Sequence, residues 1–130
     1  MIRIAVASDV LVSAVLRDGD FGPNQAERIL KKADLVAVAI PPLCEFVHSL
    51  QQDHGLAAND VARAVHVLLR AEKVVANRPA IAAALASIEA GGTFIEGLVA
   101  FESQRLGANN FVSFEPDSMR RVERLMSLYR

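Results

Sequence analysis

The chain has 130 residues, of which 52% are hydrophobic and 22% charged, and its net charge is −1. That length makes one domain of ordinary size, here expected to span 1–130, and the balance is that of a globular chain able to bury a core, which argues against a disordered chain. Near-neutral charge excludes a strongly basic nucleic-acid coat but leaves a local basic patch open, and one cysteine, Cys44, excludes a disulfide framework or a cysteine-rich zinc module.

Ile2 to Val6 reads as a short strand, and Val10, Leu11, Ala14 and Val15 give helical spacing up to about Arg17. Arg3 and Asp9 interrupt this apolar start, no small-residue cleavage site stands out, and no run reaches the ~18–20 residues of a membrane span. The expectation is a soluble, cytoplasmic protein. Gly19 and Gly22-Pro23 mark a turn, with Pro23 suited to the first position of a helix from Asn24 to about Lys32. Leu35 to Ile40 is a continuous apolar run of strand length, stopped by Pro41-Pro42, as in strands buried on both faces of a parallel sheet.

Leu43 to about Gln52 reads as a helix ended by Gly55, and Asn59 to Arg70 as an amphipathic one with Val61, Ala64, Val65, Leu68 and Leu69 on one side. Lys73 to Ala76 is a short strand. Arg78 to Ala90 is alanine-rich and therefore helical, with Gly91-Gly92 as its stop. Thr93 caps a helix to Leu106, and Glu96 three residues on fits a capping box. Phe111 to Phe114 reads as a fourth strand. Asp117 or Ser118 starts a last helix that turns Val122, Leu125 and Met126 inward. Strands separated by one or two helices predict an α/β fold of three layers, a parallel sheet of four to five strands flanked by helices. Function then gathers at the carboxyl ends of the strands.

Acids sit at those ends. The first strand runs into Ala7-Ser8-Asp9, the second reaches Glu45 five residues on, and the fourth runs into Glu115 and Asp117; Glu96 lies in the first turn of the preceding helix. Carboxylates converging on one edge repel unless a cation or protons intervene, and hard oxygen ligands are the usual holders of Mg²⁺ or Mn²⁺. Such a metal can activate water against a phosphodiester. The plainer reading is capping: Asp9 or Asp117 as an N-cap, Glu96 as half of its capping box. Glu45, between Cys44 and Phe46-Val47, has no such ready explanation.

At this point the sequence resembles the PIN domains, specifically the VapC-type toxin ribonucleases of toxin–antitoxin pairs. The opening IAVASDVLVSAVLRD is similar to the family's start, IPPLCEFVHSL to its second segment, and EKVVANRPAIAAALASIEAGGTFIEGLVAFESQRLGANNFVSF to its second half. The order and spacing of the three pieces cover essentially the whole length. The resemblance implies an endoribonuclease dependent on Mg²⁺ or Mn²⁺, dimeric, and silenced by a VapB-like antitoxin, with RNA as substrate. The family's first acid falls on Ala7, its threonine on Ser8, its asparagine on Asp9, and its glutamate on Glu45. Its acidic pair falls on Thr93 and Glu96 and its last acid on Glu115.

Two outcomes follow from these departures. In one, the site is rebuilt: Asp9 supplies the carboxylate missing at Ala7, Glu45, Glu96 and Glu115 complete a catalytic metal set with Asp117 beside them, and Ser8, Arg120 and Arg121 position the phosphate. In the other, catalysis is abandoned and a partner or RNA is bound without cleavage, since productive geometry tolerates only ~0.5 Å of error.

Arg17, Arg78 and Arg124 join Arg120 and Arg121 as a phosphate-contacting edge or as a solvated face. His48, His54 and His66 lack motif partners, and Cys44 reads as a small hydrophobe. Phe46, Leu50 and Leu56 are candidates for dimer or antitoxin contacts, and equally for the core. A nucleotide-binding reading is weaker, because no glycine-rich loop follows the first strand.

Overall fold

A computed structural model describes residues 1–16 and 25–130. The expectations that rest on Arg17, Gly19, Gly22-Pro23 and Asn24 fall outside the described residues. The chain divides into two compact units, Met1–Ala76 and Asn77–Arg130.

The first unit runs β1 (Arg3–Ala5), α1 (Ser8–Leu16), α2 (Gln25–Lys32), β2 (Leu35–Ala37), α3 (Ile40–Gln52), α4 (Ala58–Arg70) and β3 (Val74–Val75). Its strands form a parallel sheet in the order β1-β2-β3, with Arg3 opposite Leu35, Ala5 opposite Ala37 and Val36 opposite Val74. Parallel neighbours need a long crossover, and each here carries two helices. The central strand has both neighbours, so Val36 is fully buried, whereas edge strand β1 leaves Arg3 and Ala5 exposed. Leu11 of α1, Leu43, Phe46 and Leu50 of α3, and Val61 and Val65 of α4 are among the buried side chains of this unit's helices.

Helix α3 starts at Ile40, earlier than the apolar run suggests, and takes Pro41 and Pro42 into its first turn. Proline lacks an N–H, and the first turn is where the helix has no use for one. The two prolines thus open the helix and do not end the strand, which stops at Ala37, three residues short of the expected Leu35–Ile40 run. Phe46 and Leu50 are fully buried, so they are core and not contact residues; Leu56 is half-buried.

The second unit is α5 (Arg78–Glu89), α6 (Phe94–Arg105) and α7 (Pro116–Ser127). Helix α5 ends in an αL cap at Gly91, with φ of 90°, where Gly91 N–H donates to Ile88 O and Gly92 N–H to Ser87 O. This is the stop expected of Gly91-Gly92. Close approach of α6 to α5 requires Gly97, because a Cβ there would lie 2.5 Å from Ala83 O and from Ala84 Cα. Val122, Leu125 and Met126 of α7 are buried in a cluster with Ala100, against which Val99 and Phe111 pack.

The expected sheet of four to five strands, and with it the three-layer PIN-like architecture, is corrected: the described residues are mostly helical, with a sheet of three strands, all in the first unit. The missing strand is Phe111–Phe114. Phe111 N–H donates to the Glu123 carboxylate (3.1 Å) and Glu115 N–H to Ser113 Oγ (3.1 Å), so side chains take the donors at both ends. Val112 and Phe114 stand exposed. Strand propensity measures fit to a pleated, half-buried surface, and without a neighbouring strand it decides nothing. Among the described residues no helix is long and apolar enough to cross a membrane.

Candidate functional site

The parallel register of β1 and β2 brings their carboxyl ends to one edge of the first unit. Helix α1 opens at Ser8, and Glu45 follows on α3 one turn after the prolines. The two meet: Ser8 Oγ donates to Glu45 Oε2 over 3.0 Å, across 37 residues of sequence. Asp9 is exposed in the first turn of α1, and its Oδ1 accepts the Val10 N–H at 2.8 Å. Asp9 therefore lies inside the helix and does not cap it. Ala7 precedes them with no donor to offer. Cys44, beside Glu45, is half-buried; burial, and then the Glu45 charge, push its thiol above the ordinary range and leave it a poor nucleophile.

In the second unit the central group is Glu96, whose side chain is 12% exposed. Its Oε1 accepts the Thr93 N–H (3.0 Å) and Arg121 Nε (3.0 Å). Its Oε2 accepts Ser118 Oγ (2.7 Å) and Arg121 Nη2 (2.9 Å). Thr93 Oγ1 in turn accepts the Glu96 N–H, which completes the capping box expected from the spacing. A carboxylate offers about four lone-pair sites, and here four donors fill them. The forked hydrogen bonds from Arg121, helped by Ser118 and the Thr93 N–H against the opposing effect of burial, hold the Glu96 carboxyl down at about 2. The same bonds raise the hold of Arg121 on its proton.

Glu115 is exposed at the N-cap position of α7 and makes no side-chain cap hydrogen bond. Asp117, in the first turn, is exposed and ion-paired to Arg120. Among the expected site residues the structure therefore joins Ser8 with Glu45, Glu96 with Arg121, and Asp117 with Arg120. His48, His54 and His66 are exposed.

Ser8, Asp9 and Glu45 are hard oxygen groups of the right kind for a divalent ion. Glu96 does not fit: every lone pair is engaged, and a metal would have to displace a guanidinium already seated on both oxygens. Among the described residues no group of three or more His, Cys, Asp or Glu is placed to hold a metal ion.

Two features had no signal in the sequence. One is the Glu96–Ser118–Arg121 junction, whose partners stand 22 and 25 residues apart with no local pattern linking them. The other is a groove of about 780 Å³ in the first unit, lined by Ala14 and Val15 of α1, Leu30 of α2, Val36 of β2, Val67 and Leu68 of α4 and Val74 of β3. Glu27, Lys31, Asp60, Arg63 and Lys73 also line it. The ammonium of Lys73, the residue before β3, donates to the carbonyls of Leu30, Lys31 and Ala33, closing the carboxyl end of α2.

Compared with protein-family models, with curated proteins and with solved structures, the chain finds no match in any of the three.

Proposed function

We propose that the chain is a binding protein related to the VapC-type toxins, one that engages an antitoxin-like partner or RNA without cleaving it. The observation that carries this reading is the saturated carboxylate of Glu96, which the resemblance aligns with a metal-binding acid and which four donors already occupy. Ala7, where the resemblance puts the family's first acid, removes a second ligand. Losing two carboxylates from a small set leaves too little negative charge and too few oxygens to hold and orient a catalytic ion.

The groove of the first unit supports the binding half of the reading. Apolar side chains from α1, α2, α4, β2 and β3 make it a fitting seat for the apolar face of a short amphipathic segment. An antitoxin of the VapB kind is the occupant that the resemblance implies.

A divalent-metal-dependent ribonuclease is the second reading. The Ser8–Glu45 hydrogen bond favours it, with Asp9 exposed in the same helical turn as Ser8. The test is incubation of the metal-stripped full chain with single-stranded RNA and added Mn²⁺ or Mg²⁺, beside the Asp9→Ala/Glu45→Ala double variant. The expected outcome is intact RNA in both. Metal-dependent cleavage by the natural chain that the double variant lacks would overturn the non-cleaving reading and establish the second.

A further inference from the structure

We infer that Arg121 is a resident cation: its guanidinium fills the place on Glu96 that a divalent ion would take, and it ties the start of α6 to α7 in the ion's stead. The inference deepens the non-cleaving reading and rests on it for its functional meaning, but its own test turns on Glu96 alone.

The geometry is a planar fork on a planar carboxylate. Arg121 Nε meets Oε1 at 3.0 Å and Nη2 meets Oε2 at 2.9 Å, so one cation bridges both oxygens. The two lone pairs it leaves are taken by the Thr93 N–H and the Ser118 hydroxyl. A metal needs one of those lone pairs at about 2.1 Å. It would also bring two positive charges against the guanidinium. The neighbouring acid Asp117 is neutralised in the same way by Arg120, one residue before Arg121 on the same helix. Of the two carboxylates of this unit that the resemblance would give to a metal, Glu96 and Glu115, an arginine of α7 thus answers Glu96, while Arg120 answers the neighbouring Asp117.

The bonds also span elements. Thr93 and Glu96 belong to the start of α6, Ser118 and Arg121 to the first turns of α7. A bridging cation commonly fastens separate segments through shared oxygens; here a side chain fastens them, and its attachment does not depend on a free ion. Arginine suits this role better than lysine, since only the fork reaches both oxygens at once.

The experiment is calorimetric titration of the metal-stripped full chain with Mn²⁺, run on the natural sequence, Glu96→Gln, Arg121→Met, and Arg121→Met/Glu96→Gln. Natural chain and Glu96→Gln are expected to show the same Mn²⁺ affinity. Arg121→Met is expected to bind Mn²⁺ at least roughly tenfold more tightly, and the added Glu96→Gln to abolish the gain. An Arg121→Met chain that binds Mn²⁺ no better than the natural one overturns the inference, as does a natural chain whose Mn²⁺ affinity falls in Glu96→Gln. The second comparison stands even where Arg121→Met fails to fold. RNA cleavage dependent on Asp9 and Glu45 would sink the non-cleaving reading while leaving these outcomes for Arg121 to be read separately.

Discussion

Gly97→Ala sets two effects of opposite sign against each other. In a helix interior alanine is favoured over glycine by about 1 kcal/mol, so propensity alone predicts a stabilised α6. The surroundings predict the reverse. The new Cβ would stand 2.5 Å from Ala83 O, 2.5 Å from Ala84 Cα and 2.8 Å from Ser87 Cβ, all on α5. Carbon contacts settle at about 3.5–4.0 Å, so the shortfall is about 1 Å, and two of the three atoms are backbone that no rotamer change can remove. Helix α6 must back away from α5, loosening the contacts of Ala83, Ala84 and Leu98, which are buried. Overpacking of this kind costs about 1–3 kcal/mol and more where backbone is struck, so the net change is a loss of about 2 kcal/mol. Urea denaturation would read it as a lowered midpoint at unchanged slope. Ala82→Gly, at an exposed position of α5, serves as the control and should cost about 1 kcal/mol from propensity alone. A Gly97→Ala chain as stable as the natural one, or more so, would refute the close approach of the two backbones.

The Glu96 carboxyl is depressed from its ordinary 4.5 to about 2, so its contribution to stability is fully present above pH 4.5 and is lost as the pH falls through about 2. With allowance for screening at the partly exposed Arg121, the amount is about 1 to 2 kcal/mol. Stability measured across that range should fall less steeply in Glu96→Gln than in the natural chain; parallel slopes would remove the claim. Phe46→Ala should cost about 3–5 kcal/mol, because Phe46 is fully buried in the first unit. A changed sedimentation profile at unaltered stability would instead make Phe46 a contact residue.

Local chemistry was legible in the sequence wherever its signal spans a single turn. The capping box at Thr93 and Glu96, the αL stop at Gly91 and the inward stripe of Val122, Leu125 and Met126 all stand where spacing put them. Each is decided by residues within one or two turns of each other. The start of α3 escaped because Pro41-Pro42 fits two descriptions, the end of a strand and the first turn of a helix, and only the position of the chain beyond β2 separates them. Of the site, Ser8 and Glu45 were both singled out from their places after strands, but that they touch follows from the parallel register of β1 and β2.

What lay beyond the sequence is every property that needs a partner distant along the chain. FVSF has the composition of a strand, yet a strand exists only beside another, and the three-helix unit that holds Phe111–Phe114 has none among the described residues to offer. Glu96 has the composition of a metal ligand and of a cap alike. Its capping role was written three residues away at Thr93, whereas its commitment to Arg121 depended on how α7 packs against α6. Sequence by itself thus determined most of the helices, the capping box at Thr93 and Glu96, the stop at Gly91 and the buried stripes, since short-range sterics and hydrogen bonding fix these, whereas the N-cap readings of Asp9 and Asp117 failed: Asp9 lies inside α1, and α7 opens at Pro116 with Glu115 as its N-cap. Tertiary structure alone decided the extent of the sheet and the engagement of each carboxylate, because strand pairing and ion pairing are contacts between segments whose meeting no local pattern specifies.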